Sequence, residues 1–262
     1  MARHGKGSVL TAIGISGLKK AFGDAHVIQD LSLTIPTGSF YGLAGPNGAG
    51  KTTTIRMIAG LLRPDGGTIE VDGVSVWPDP RAAKRILGYV PDNPTLFSRL
   101  SAREMLDYAG MLRGMESATI RERGDDLLRV LGLEADADRQ IADFSLGMTK
   151  RVGLAVAILH SPRVLILDEP FGSLDPVNTQ VMEQLLARYR DGGGSVVFSS
   201  HVLDVVERLC DRVAVIAGGT LVAEGTVREL AGTGSLEDAF VGIVGGRELK
   251  KEDLGWLSSS SD

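Results

Sequence analysis

Apolar residues come in short blocks through the first 90 positions, at 12–16, 27–35, 40–44, 68–71 and 86–90, with glycine and proline between them. Blocks of that length and punctuation predict strands. Residues 51–62 break the series with a helical pattern. From 101 to 160 the period lengthens. Ser101-Ala102-Arg103-Glu104 has the form of a capping box, and Met105, Leu106, Ala109 and Leu112 follow at helical spacing. A second helix is predicted near 120–131, closed by Gly132, and a third opens at Ser145 and runs through the apolar stretch 152–159. Beyond it, strand-like 164–167, 196–199 and 213–216 alternate with helix-like 176–189 and 203–209, the order of parallel βα units.

This pattern predicts an α/β core, 11–92 and 161–230, with a parallel sheet interrupted by a helical subdomain at 93–160. Leu236, Phe240 and Ile243 predict a small packed helix within 235–246, in a C-terminal segment 231–262 that ends in a disordered tail rich in serine at 258–261. Residues 1–10 read as a flexible N-terminus. Arg3, His4 and Lys6 ahead of 9–18 imitate a secretory leader. Against that reading, Gly14 and Gly17 interrupt the stretch, Ile13 and Ile15 alternate as in a strand, and Lys19-Lys20 follow without a small-residue cleavage site.

The 262 residues, 43% apolar, suffice for one large core or a core with a subdomain. A net charge of −5 gives no broad basic footprint, so no nucleic-acid partner is expected. The single cysteine, Cys210, lies in the amphipathic stretch with Val205, Val206 and Leu209 and reads as packing. The longest apolar run, 152–159, is far short of the roughly 20 residues that cross a bilayer. The expected location is the cytoplasm, with any membrane contact made through a partner.

Chemistry enters at Gly45-Pro46-Asn47-Gly48-Ala49-Gly50-Lys51-Thr52, a complete G-x-x-x-x-G-K-[ST] sequence between a strand and a helix. Glycines let successive N–H groups converge on a polyphosphate, and the helix N-terminus adds its positive dipole end. Lys51 then reaches the β and γ phosphates, the Thr52 hydroxyl holds Mg²⁺, and Thr53 completes the nucleotide-binding set. A plain glycine turn does not account for the strand before and the helix after. The apolar strand 164–167 ends in Asp168-Glu169, where ligands bind in parallel sheets. Asp168 is placed on Mg²⁺ and Glu169 on the attacking water.

Five features occur in order: 45–52, Ser145-x-Gly147, Asp168-Glu169, Ser173-Leu174-Asp175 and His201. Together they resemble the ATP-binding subunit of an ABC transporter over about residues 10–225. The resemblance implies a P-loop NTPase (RecA-like) core with an antiparallel β subdomain and an inserted helical subdomain. It implies ATP and Mg²⁺ as cofactors, a separate transmembrane permease, and a second ATP-binding subunit, identical or not. Ser145 and Gly147 match the signature that grips the γ-phosphate bound to the opposite subunit, helix-dipole anion binding supplied in trans. Asp175 matches the loop that crosses the dimer interface, His201 the histidine on the γ-phosphate, and Phe22 the aromatic that stacks on adenine.

Two positions depart from the commoner pattern. Asp92, after Tyr89-Val90-Pro91, stands where glutamine is usual, so metal sensing is expected with altered Mg²⁺ dependence. Met148 stands where the signature usually has glutamine. Both departures resemble the exporter branch handling drugs, lipids, polysaccharides or peptides. The competing readings are an importer subunit, a soluble ABC-type ATPase outside transport and a small-molecule kinase. The interval 53–144 carries no sustained heptads, unlike chromosome and repair ATPases, and a kinase leaves the signature, Asp175 and His201 without a role.

Overall fold

A computed structural model describes residues 10–77 and 79–245. Residues 1–9 of the expected flexible segment 1–10, and the serine-rich tail, lie outside the described residues. β1 (Thr11–Phe22) and β2 (Ala25–Pro36) form a long antiparallel ribbon, and β3 (Phe40–Ala44) leads to α1 (Lys51–Ile58). β4 (Gly66–Val71), the two-residue β5 (Val74–Ser75), α2 (Pro80–Ile86) and β6 (Leu87–Val90) follow. Three helices, α3 (Ala102–Leu112), α4 (Ser117–Val130) and α5 (Leu146–Ile158), precede β7 (Val164–Asp168). The chain continues through α6 (Pro176–Asp191), β8 (Ser195–Ser200), α7 (Leu203–Leu209), β9 (Arg212–Ala217), β10 (Thr220–Thr226), α8 (Val227–Ala231) and α9 (Leu236–Val244).

The strands form two sheets. One is antiparallel, ordered β2-β1-β4-β5; the other has six strands ordered β10-β9-β3-β8-β7-β6. Within the second, β9, β3, β8, β7 and β6 run parallel and β10 adds an antiparallel edge. β3 and β7 are buried at every position, because both faces of this sheet are covered. Phe40, Leu167 and Phe198 point to one face, where Leu106, Leu128 and Leu154 of the helices meet them. Tyr41, Ile166 and Val197 point to the other, against Ile13 and Leu33 of the antiparallel sheet and Ile55 of α1. Phe198 is fully buried and takes the edges of Phe40 and Phe171. Truncating it to alanine would cost about 3–5 kcal/mol.

Several local expectations change. Ile86 belongs to α2, not to a strand at 86–90, because Asp79 caps the helix through the Arg81 N–H and Pro80 sits at its first position. The helix after the phosphate loop stops at Ile58 rather than 62, as Gly60 turns the chain at φ 65°. In α9, Leu236 is buried and Phe240 packs on the core, while Ile243 is exposed. The Ser101–Glu104 capping box is formed, and Cys210 is buried.

Candidate functional site

The carboxyl ends of three neighbouring parallel strands define the site. Ala44 of β3 pairs with Ser200 of β8, and Asp168 of β7 pairs with Ser199, so register alone brings residues 45, 168 and 199–201 to one edge. The loop leaving β3 requires glycine at two points. A Cβ on Gly45 would lie 2.2 Å from the Ile216 carbonyl oxygen. Gly50, at φ 103°, would put one 2.4 Å from Ile28 Cδ1. No side chain caps α1 at Gly50, which leaves its first-turn amides for an anion.

Lys51 is buried and donates from Nζ to the carbonyls of Gly45 at 2.6 Å and Pro46 at 3.1 Å. Burial lowers its pKa, while Glu169 and Asp168 pull in the opposite direction. Thr52 Oγ1 donates to Asp168 Oδ1 at 3.1 Å, and Ser199 Oγ donates to the same oxygen at 2.6 Å. Asp168 is 1% exposed, so these hydroxyls satisfy a carboxylate removed from water. Glu169 adopts a left-handed backbone, φ 47°, and its N–H donates to Ser199 Oγ at 3.1 Å. Its carboxylate Oε2 meets His201 Nδ1 at 2.9 Å.

A cleft of about 450 Å³ gathers these groups. Asn47, Gly48, Ala49, Gly50, Lys51, Thr52 and Thr53 line it with Asp92, Glu169 and His201. Gly45 and Pro46 touch it through Lys51, and Asp168 through Thr52. Asp92 presents Oδ1 to Lys150 Nζ at 2.9 Å. Phe22, Ser145, Gly147 and Asp175 do not line this cleft. Phe22 is 51% exposed at the end of β1, with the Lys20 ammonium 5.4 Å over its ring. Ser145 caps α5 by accepting the Met148 N–H at 3.2 Å. Asp175 caps α6 through the Asn178 N–H, which holds its carboxyl below the usual range.

Three contributors lie outside the expected set. Val27 lines the cleft from β2, Ser199 buttresses both acids, and Lys150 reaches Asp92 from α5. Val27 and Ser199 read as ordinary strand residues. Lys150 carried no signal beyond its place, with Arg151, ahead of the apolar run 152–159.

The donor set suits a hard cation bound jointly with phosphate. Among the described residues there is no cluster of three or more His, Cys, Asp or Glu able to hold a metal alone. One hydroxyl and one carboxylate at a phosphate loop match the sparse protein ligation of Mg²⁺. Among the described residues, no helix is long and apolar enough to cross a membrane.

A family model described as ABC transporter matches residues 28–172. The linearmycin resistance ATP-binding protein LnrL of Bacillus subtilis (strain 168) is 36% identical over 213 residues, 81% of this chain and 68% of LnrL. The Nod factor export ATP-binding protein I of Rhizobium sp. (strain N33) is 38% identical over 219 residues, 84% of this chain and 72% of that protein. The structure of an ATP-binding subunit of an ABC transporter superposes with a TM-score of 0.84 at 32% identity, over 89% of this chain and 99% of that one.

Proposed function

The chain belongs to the ABC transporter family as an ATP-binding, ATP-hydrolysing subunit, and from that premise we propose that it powers export through a separate membrane permease. The cargo is of the drug, lipid, polysaccharide or peptide class. Relatives named for linearmycin resistance and Nod factor export support the direction of transport. One observation carries the reading: the phosphate loop, Asp92, Glu169 and His201 share a cleft that Ser145 and Gly147 do not enter. Half of the phosphate-binding apparatus therefore faces a second ATP-binding subunit.

Amides of residues 47–53 and the Lys51 ammonium hold the β and γ phosphates. Thr52 and Asp168 would hold Mg²⁺, with Asp92 at the margin of the same cleft. Bound there, the ion would offset phosphate charge beside two carboxylates and supply Lewis-acid polarisation of the phosphoryl oxygens. Glu169, fixed by Ser199 and His201, accepts the proton of the water whose oxygen attacks the γ phosphorus as ADP leaves. Ser145 and the first α5 amides of the second subunit supply the positive end that an arginine finger supplies elsewhere. Phe22 offers its face to adenine, and Asp175 meets the facing subunit.

ATP favours the closed pair, and hydrolysis reopens it. The helical segment 93–160 and the Asp92 loop pass that motion to the permease, which places the chain peripherally on the inner face of the membrane. Affinity capture of tagged Glu169→Gln protein with Mg²⁺ and ATP, from gently solubilised cells, tests this function. A stoichiometric multi-span membrane protein is the expected partner. A soluble or ribosomal partner without one would move the ATPase outside transport.

A further inference from the structure

Lys150 lies in the second turn of α5 with a relative exposure of 2%. A lysine at that depth needs partners for its ammonium. Nζ donates to Asp92 Oδ1 and to the Glu169 carbonyl oxygen, both at 2.9 Å. One side chain thus joins the signature helix, the loop after β6 and the turn after β7. Gly172 completes the seat, since a Cβ there would stand 3.4 Å from Nζ.

The Glu169 contact bears on hydrolysis. At φ 47°, Glu169 occupies a backbone region that non-glycine residues enter rarely and that persists when its surroundings over-determine it. Its N–H is held by Ser199 Oγ at 3.1 Å and by the Ser199 carbonyl at 3.3 Å, its carbonyl by Lys150 at 2.9 Å and by the Gly172 N–H at 3.4 Å, and its carboxylate by His201. The bond from Lys150 is the shortest of these backbone restraints, charge-assisted and screened from water, which makes it the strongest of them.

We propose that Lys150 is a positioning residue for ATP hydrolysis: its ammonium locks the left-handed turn that aims the Glu169 carboxylate and ties Asp92 to that turn. The start of α5 touches the same turn a second time, as a Cβ on Gly147 would stand 3.2 Å from the Ser173 carbonyl oxygen. Displacement of the signature end therefore reaches Glu169 through a buried hydrogen bond as well as through packing.

The role rests on the ATPase reading and is tested with the full chain carrying Lys150→Met and Lys150→Gln, two replacements of similar length. Methionine has no donor; glutamine retains a neutral one. Turnover, KM for ATP, ATP affinity at equilibrium and hydrogen exchange of the amides at 169–175 are measured with Mg²⁺. Because a misplacement of about 1 Å in a catalytic group costs about 100-fold, Lys150→Met is expected to lower kcat by roughly 30-fold or more. ATP affinity and KM stay within about threefold, since phosphate contacts are untouched. Lys150→Gln falls between Lys150→Met and wild type, and exchange at 169–175 accelerates in the same order. Equal kcat in all three proteins, or equal losses in both variants without faster exchange, overturns the proposal. Should Lys150→Met fail to fold, Lys150→Gln gives the same comparison. A wild-type chain that binds but does not hydrolyse ATP sinks the ATPase reading instead, and exchange at 169–175 still reports whether Lys150 holds the turn.

Discussion

Two helix N-termini in this chain, α1 after the phosphate loop and α5 after Ser145, are placed in opposite ways. The α1 end opens into a cleft with Glu169, His201 and Asp92 across from it. At the α5 end, Ser145 and Gly147 stay outside that cleft, Leu146 is 44% exposed, and the Ser145 hydroxyl caps its own helix. Both ends have a positive dipole end and first-turn amides, although in α5 the Met148 N–H is already taken by Ser145. What differs is the acid and base opposite. In the proposed function the first end is a hydrolytic site in need of charge stabilisation, and the second is charge stabilisation in need of a site. On the proposed reading, two chains face to face would satisfy both.

Substitutions on either side separate the roles. The largest effect belongs to the α1 side: Glu169→Gln should lower turnover by about 10²–10⁴ while ATP binding persists. Lys51→Ala should abolish binding itself, which titration with a fluorescent nucleotide will check. On the α5 side, Ser145→Ala should leave ATP binding by a single chain within about twofold. It should lower turnover by about 10–100-fold, the scale of removing one charge-stabilising donor. Loss of the cap should also cost about 1 kcal/mol in denaturant unfolding. If Ser145→Ala weakens binding as much as turnover, the two ends are not divided as described.

Much of this division was legible in the sequence because its signals are local. A glycine loop between strand and helix and two acids at a strand end state their chemistry within about ten residues, whereas Ser145 before α5 reads alone as an ordinary cap and gains its role only from the family resemblance. Residues joined only by sheet register or packing were not legible. Ser199 matters because β8 pairs with β7 and puts its hydroxyl between two acids. Lys150 matters because α5 is buried nearly all round, which turns its ammonium toward Asp92 and Glu169. α2 was within reach, since Asp79-Pro80 is a helix-start signal, but the apolar block at 86–90 masked it. The long β1–β2 ribbon and its bulges depend on pairing across 25 residues, Thr11 with Pro36, and exceed the short strands the pattern suggested.

Smaller effects sharpen the picture. Asp92→Gln should shift the Mg²⁺ titration of ATPase rate while changing maximal turnover by less than about tenfold, because glutamine removes one charge beside the metal. An unchanged titration would remove Asp92 from metal sensing. The smallest effect lies away from the cleft. Burial and the Arg113 charge push His160 down to about 4, and Nε2 meets the Leu87 carbonyl at 3.1 Å. The folded state resists a proton that the unfolded chain accepts near pH 6.5, so His160 leaves stability intact above that pH. Stability is lost as pH falls from about 6.5 toward 4. Melting temperatures over that range should fall less steeply for His160→Gln than for wild type.

The central claim is that one chain holds an incomplete hydrolytic site which a second chain completes on binding ATP. Light scattering of Glu169→Gln protein with saturating Mg²⁺ and ATP tests it most directly. The predicted result is a mass twice the 27.7 kDa of one chain, reverting when nucleotide is removed and absent in Lys51→Ala. A single-chain mass with ATP bound at saturation would contradict it.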